Sequence, residues 1–269
     1  MDQAERYERF RALHDAPGAF VMPNAWDGAS AALLKREGFL AIGSTSLAIA
    51  FAAGRPDGVH AVSRKAAVDN AALLGRVTGL PINGDLEDGF GASPADCVAT
   101  VEAAIAAGLA GLGIEDTTAH PDRPIHPFDL AVARIRAAAQ AARGRILLTA
   151  RTDNYLQGSP DLHDTIRRLV AFAEAGADVL YAPGLPDMES IRAVVRAVAP
   201  KPVNVVVGPG VDLATLAEAG VKRVSVGGAL YRGAMAALLE SARALKHGDL
   251  VRGSAGLPTA EIAALLPRA

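Results

Sequence analysis

The chain has 269 residues, of which 51% are hydrophobic and 21% charged, and a formal net charge of -2. Half-apolar composition at this length can bury a sizeable core, which excludes general disorder. The 27 glycines follow no fixed period, which excludes a collagen-like chain, and near-neutral charge with only 4% aromatics gives no footprint for nucleic acid or an anionic membrane surface.

The N-terminus, Met1 to Arg6, is charged and has no apolar run behind it, so no secretory signal is expected. The first strand is predicted at Phe20–Met22, followed by a helix over Ala29–Arg36 and a strand at Leu40–Gly43. A helix over Arg64–Thr78 precedes a strand at Ile82–Asp85, and a helix over Ala95–Ala107 precedes one at Gly111–Ile114. The weakly polar stretch Cys97–Ile114 contains Glu102 and reads as helix then strand, not as a membrane span. The remaining alternation is helix Leu130–Ala142, strand Ile146–Ala150, helix Asp164–Ala175, strand Val179–Tyr181, helix Ser190–Ala199, strand Val203–Val206, helix Leu213–Ala219, strand Arg223–Val226 and helix Tyr231–Lys246. In four places an Ala-rich helix ends in glycine (Gly38, Gly108, Gly176, Gly220) just before an apolar run. Glycine takes the left-handed conformation that helix ends often need, and a short connection then leads into a strand. The tail, Gly248 to Ala269, has a last short helix opened by Pro258, and Ile262, Leu265 and Leu266 call for packing on the barrel or on a neighbouring subunit.

Eight βα units with strands apolar on both faces predict an α/β fold, a (β/α)8 TIM-type barrel occupying residues 1–269 as one domain. The Gly-rich turn of an open doubly wound sheet is absent after the first strand, where Pro23-Asn24-Ala25-Trp26-Asp27 stands instead. The lone cysteine, Cys97, cannot form an intrachain disulfide and reads as core; a reducing, cytoplasmic location is the expectation.

Barrel chemistry is expected at the carboxyl ends of the strands. There the sequence puts Ser44-Thr45-Ser46, Asp85-Leu86-Glu87-Asp88, Glu115-Asp116, Arg151-Thr152-Asp153-Asn154, Asn204 and Ser225. Asp85 and Glu87 are two apart and point the same way if strand geometry persists past Asp85. With Glu115 they form three converging carboxylates, which repel unless a cation or proton compensates. An all-oxygen set suits Mg²⁺, with Mn²⁺ as an alternative. Arg151 on the next strand suits a substrate carboxylate or phosphonate, or else pairs with Glu115. Asp88, Asp116 and Asp153 read as cap or turn residues.

These segments, with Asp57 in Gly54-Arg55-Pro56-Asp57-Gly58 and Pro202-Val203-Asn204-Val205, occur in the order found in one family. From about residue 20 to residue 230 the chain resembles the isocitrate lyase/phosphoenolpyruvate mutase superfamily. The resemblance implies a barrel whose last helix is exchanged between subunits of a homodimer or homotetramer. It implies Mg²⁺ near Asp85, Glu87 and Glu115, largely through water, with Asp57 positioning that water. Thr45 and Ser46 would hold a substrate carboxylate, Arg151 the oxo-acid, and Asn204 would line the pocket.

Departures define the subgroup. After Glu115, isocitrate and methylisocitrate lyases carry a loop whose cysteine supplies a proton; here the loop is Asp116-Thr117-Thr118-Ala119-His120-Pro121-Asp122-Arg123. The phosphonomutase Asp-Asn-Asn loop is also absent, Leu47 and Ala48 stand where lyases have glycines, and Glu87 replaces an aspartate. His120 is the candidate acid/base, from its place on that loop. The expected function is Mg²⁺-dependent C–C cleavage, retro-aldol or decarboxylation, of a small 2-oxo or 2-hydroxy dicarboxylate through a metal-stabilised enolate. The alternatives are a P–C bond enzyme of the phosphonopyruvate hydrolase or phosphonomutase type, and a non-catalytic oxo-acid binder.

Overall fold

The computed structural model describes residues 1–206 and 210–267. Eight parallel strands run β1 (Phe20–Met22), β2 (Ile42–Gly43), β3 (Ile82–Asp85), β4 (Gly111–Glu115), β5 (Leu147–Arg151), β6 (Val179–Tyr181), β7 (Val203–Val206) and β8 (Arg223–Ser225). They are ordered β1-β8-β7-β6-β5-β4-β3-β2. A bridge between Asn24 and Gly43 closes the circle, with Gly43 N donating to Pro23 O and Ala25 N donating to Gly43 O, each at 2.9 Å. Four strands are one or two residues off the sequence reading; β2 starts late because Leu40 is exposed.

Helices α2 (Gly28–Arg36), α4 (Arg64–Thr78), α5 (Pro94–Ala106), α6 (Phe128–Ala142), α7 (Leu162–Glu174), α8 (Met188–Val198) and α9 (Leu213–Glu218) wrap the outside. The main core lies between them and the strands and is built of small and branched side chains, among them Leu74, Val101, Ile135 and Leu169. Side-chain caps fix several helix starts. Ser63 accepts from Ala66 N, and Ser93 and Asp96 cap each other's amides on α5.

Two helices ahead of the tail, and a short one within it (Leu250–Gly253), were not read from the sequence. The first, α1 (Gln3–Asp15), opens with a capping box of Asp2 and Glu5 and lies under the amino-terminal ends of the strands. Its Phe10 is fully buried among Met22, Ala41, Ala110 and Leu147. Gly111 makes this possible: a Cβ there would stand 2.6 Å from the Phe10 ring. The second, α3 (Ser46–Ala52), follows β2 directly.

In the tail, α10 (Ala229–Lys246) is followed by α11 (Leu250–Gly253) and α12 (Thr259–Leu265). The last helix packs on α2 of the same chain, where Arg36 pairs with Glu261. In α10 only Tyr231 is buried, while Leu238 and Leu239 are 60% and 50% exposed. Among the described residues no helix is long and apolar enough to cross a membrane.

Register does most to position the site. Glu115 pairs with Arg151, Arg151 with Tyr181, Tyr181 with Asn204, and Asn204 with Arg223. Register partners on parallel strands point to the same face. One line of side chains therefore crosses five strands, starting at the last residue of β4 and ending at the first of β8. Strand stagger in a barrel makes such a line descend from the mouth toward the floor.

Candidate active site

The mouth holds a cavity lined by Asp85, Glu115, Arg151, Tyr181, Asn204 and Arg223, with Asn24, Ser44, Asn83, Thr149 and Ser225 between them. Arg151 is its hub. Its guanidinium makes a two-pronged contact to Asp153, at 2.5 and 2.6 Å, and reaches Glu115 at 2.9 Å. It also lies 5.5 Å from the Tyr181 ring centre. Burial pushes the Glu115 carboxyl well above the usual range against the pull of Arg151, and the charges of Asp153 and Asp85 push the same way. Thr117 Oγ1 donates to the free Glu115 oxygen at 2.7 Å.

Asp85 is held by the main chain. Its Oδ2 accepts from Ser46 N at 2.8 Å, and its own N donates to Ser44 Oγ at 2.8 Å. Asn24 ties the mouth together, donating to Ser44 O and accepting from Val226 N and Gly227 N. Behind Arg151, Asp116 accepts from Thr152 Oγ1 and Asp153 N and pairs with Arg168 at 3.1 Å. Asp116 and Asp153 thus brace the Arg151 side chain, a larger role than a cap or turn.

The sequence-predicted residues divide. Asp85, Glu115, Arg151 and Asn204 share the cavity. Glu87 does not line it. Strand geometry ends at Asp85, and Glu87 takes φ +49°, so the expected alternation stops short of it. Its carboxylate accepts from His60 N, and burial, followed by the charges of Asp85, Asp88 and Asp57, pushes it up to about 8. Asp57 sits on the exposed segment between α3 and α4; partial desolvation and then the Asp85 charge raise its carboxyl. Thr45 is buried at the start of α3 and Ser46 N is given to Asp85, so the Ser44 hydroxyl, not these two, reaches the cavity. His120 lies on the exposed loop after β4, against Ile125, Pro127 and Leu130, in a different cavity from Arg151.

Tyr181 and Arg223 were missed. Tyr181 ends one strand run and Arg223 opens another, where a polar residue at an inward position is the available signal. Burial pushes the Tyr181 hydroxyl up to about 12.

Among the described residues no three His, Cys, Asp or Glu side chains converge closely enough to ligate one ion directly. Asp85 and Glu115 nonetheless offer two carboxylates in one cavity without a nitrogen or sulfur ligand. That donor set fits a hard cation retaining most of its water, as Mg²⁺ does.

Fold and cavity together define a barrel with an acidic mouth built around an arginine, a scaffold for a small anionic ligand. The family model described as phosphoenolpyruvate phosphomutase matches residues 10–246. An uncharacterised protein of Mycobacterium tuberculosis H37Rv is 37% identical over 96% of this chain and 95% of its own. An oxaloacetate decarboxylase of Paraburkholderia xenovorans is 31% identical over 90% of this chain and 83% of its own. The crystal structure of a Burkholderia cenocepacia J2315 protein, provisionally described as a lyase/mutase, superposes with a TM-score of 0.93 at 48% identity, over 97% of this chain and 96% of that one. The chain belongs to the phosphoenolpyruvate phosphomutase family, within the isocitrate lyase/phosphoenolpyruvate mutase superfamily. Other relatives include a 2-methylisocitrate lyase of Halalkalibacterium halodurans and a phosphoenolpyruvate phosphomutase of Streptomyces platensis subsp. rosaceus.

Proposed function

We propose that this protein is an Mg²⁺-dependent lyase that cleaves a C–C bond in a small 2-oxo or 2-hydroxy dicarboxylate. The observation that carries the reading is the Glu115–Arg151 pair facing Asp85 in one cavity at the barrel mouth. Bound Mg²⁺, held through water by Asp85 and Glu115 with Glu87 and Asp57 steadying the outer waters, would polarise the 2-oxo group and offset the negative charge of the transition state. The chain does the rest. Arg151, fixed by Asp153, orients the oxo-acid carboxylate. The Ser44 hydroxyl borders the carboxylate pocket, with Thr45 and Ser46 acting through the turn whose Ser46 N fixes Asp85, and Asn204 closes the far wall. Tyr181 lines the cavity and, like any tyrosine, is protonated at neutral pH, with burial pushing it further up to about 12, so it is placed to deliver a proton. His120 takes that part only if its loop folds over the mouth.

The test is an NMR time course with Mg²⁺ on oxaloacetate, 2-methylmalate, 2-methylisocitrate, isocitrate and phosphonopyruvate, each with an EDTA control. EDTA-sensitive C–C cleavage supports the lyase. Turnover of phosphonopyruvate alone, to pyruvate and phosphate or by isomerisation to phosphoenolpyruvate, would replace it with the P–C reading, to which the family description also points. Oxalate binding without turnover of any substrate would leave an oxo-acid binder. Tyr181→Phe is expected to lower kcat on the order of 10²-fold or more, as loss of a general acid does. His120→Ala is expected to leave it nearly unchanged; the reverse result returns the role to His120.

The exposed apolar side of α10 supports exchange of this helix with a second copy, giving a homodimer or homotetramer. Light scattering on the purified chain checks it; a monomer at micromolar concentration would rule it out. A cytoplasmic location and a single domain over residues 1–269 complete the reading.

A further inference from the structure

Arg223 carries a buried charge with no carboxylate partner. It is 1% exposed. Its Nε donates to Asn204 Oδ1 at 2.8 Å and its Nη2 to Thr149 Oγ1 at 2.9 Å, while Nη1 stands 3.4 Å from His14 Nε2. All three partners are neutral. His14 is uncharged because burial and the neighbouring Arg223 lower it to about 3. Its Nδ1–H donates to Phe10 O at 2.8 Å, which leaves Nε2 as the acceptor facing Arg223. The contrast with Arg151 and Arg168 is plain, since each of those is paired with two carboxylates. Among the described residues no ion pair is made by Arg223.

A buried guanidinium without a counter-charge is costly, and three hydrogen bonds use three of its five N–H groups. The cost shows in the pull of burial on the group, down to about 9. Arg223 also lines the cavity that holds Asp85 and Arg151, at the inner end of the register line from Glu115. Its bond to Asn204 Oδ1, with Asn204 Nδ2 donating to Ser225 Oγ at 3.0 Å, fixes which way that amide faces.

We propose that Arg223 is the inner half of the ligand site: it takes the anionic end of the ligand that points into the barrel, and so selects a dianion over a monoanion. The identity of that ligand as an oxo-acid analogue rests on the function proposed above; the demand for a second negative charge does not.

The test compares oxalate with its monoamide, oxamate, on the full chain, with and without Mg²⁺, by calorimetry and by ligand-induced rise in Tm. The variants are Arg223→Met and Arg223→Lys. The parent is expected to prefer oxalate on the order of tenfold or more, as a close charge pair warrants. R223M should bring the two ligands close to equal by losing oxalate affinity, and R223K, which keeps the charge without the planar fork, should narrow the preference by a few-fold. If R223M does not fold, R223K carries the test through a selective, few-fold loss for oxalate. A folded variant with the parent's ligand ratio overturns the proposal. So does a parent that neither anion stabilises or that binds both equally, whatever the lyase assay shows. Absent turnover with the preference intact would sink the lyase reading and leave Arg223 in place.

Discussion

The two rims of the barrel solve opposite problems with the same strands. At the amino-terminal rim, α1 lays Phe10 into the space left by Gly111, and His14 stands edge-on between Phe10 and Phe20 at 4.7 and 5.1 Å. Hydrogen bonds to main-chain carbonyls seal it, from Gln3 to Leu109 and Arg145 and from Arg6 to Gly108. At the carboxyl rim, Asp85, Glu115, Asp153 and Arg151 crowd together, and burial with the Asp85 charge raises the pKa of both Glu115 and the nearby Asp57. One rim is closed by packing; the other is held open by charges that a ligand can complete. Stability concentrated at the floor is what lets the mouth keep an arrangement that is costly when empty.

The sharpest way to break this division is Arg151→Gln. It strands Glu115 and Asp153 as buried unpaired charges, a cost of about 3–5 kcal/mol in folding. It should also remove about 2–5 kcal/mol of oxalate affinity. Urea unfolding and calorimetry on the same sample read both; stability lost with affinity kept would show that Arg151 is only structural. Phe10→Ala should cost a comparable ~3–5 kcal/mol in folding, with a far smaller effect on oxalate. A large affinity loss in that variant would mean the rims are not independent.

Changes in pH should separate the rims further. Glu87 at the mouth is raised to about 8 in the folded state, so its contribution is present at acid pH and is lost as pH climbs from the unfolded carboxylate value toward 8. His14 at the floor is lowered to about 3, so stability is lost as pH falls from the unfolded histidine value toward 3. Melting curves in EDTA should therefore sag at both ends. Glu87→Gln should flatten only the alkaline side, and added Mg²⁺ should oppose that loss. An alkaline limb unchanged by Glu87→Gln would assign it to other groups. The smallest effect belongs to Asp2→Ala, which removes the α1 cap at a cost of about 1 kcal/mol, measurable as a shifted urea midpoint with unchanged slope.

The architecture was legible where sequence signals are local. Helix α4 and strands β3, β6 and β7 fall where apolar runs bounded by Gly or Pro put them, and Asp85, Glu115 and Arg151 come together because each ends a strand. Three features needed the closed barrel. The apolar face of α1 is only Tyr7, Phe10 and Leu13, too sparse to announce a helix whose partner surface is built from distant strands. Glu87 turns away because His60 N captures its carboxylate, a contact made across 27 residues. Tyr181 and Arg223 gain meaning only from the stagger that strings them in one line with Glu115.

The seal under the floor also sets an order of events during synthesis. Helix α1 leaves the ribosome ahead of every strand of the barrel, and its capping box gives it local stability before any of them exists. Its anchors arrive much later: Leu109 lies 106 residues beyond Gln3, and Lys222, which binds Ala16 O, lies 206 residues beyond that acceptor. Strand β8, next to Lys222, is also the hydrogen-bonded neighbour of β1. Until β5 emerges Phe10 lacks Leu147, the last of its buried neighbours, and until β8 emerges β1 keeps an unpaired edge, the kind of surface chaperones hold. Burial of the first helix therefore waits for β5, and closure of the sheet waits for β8.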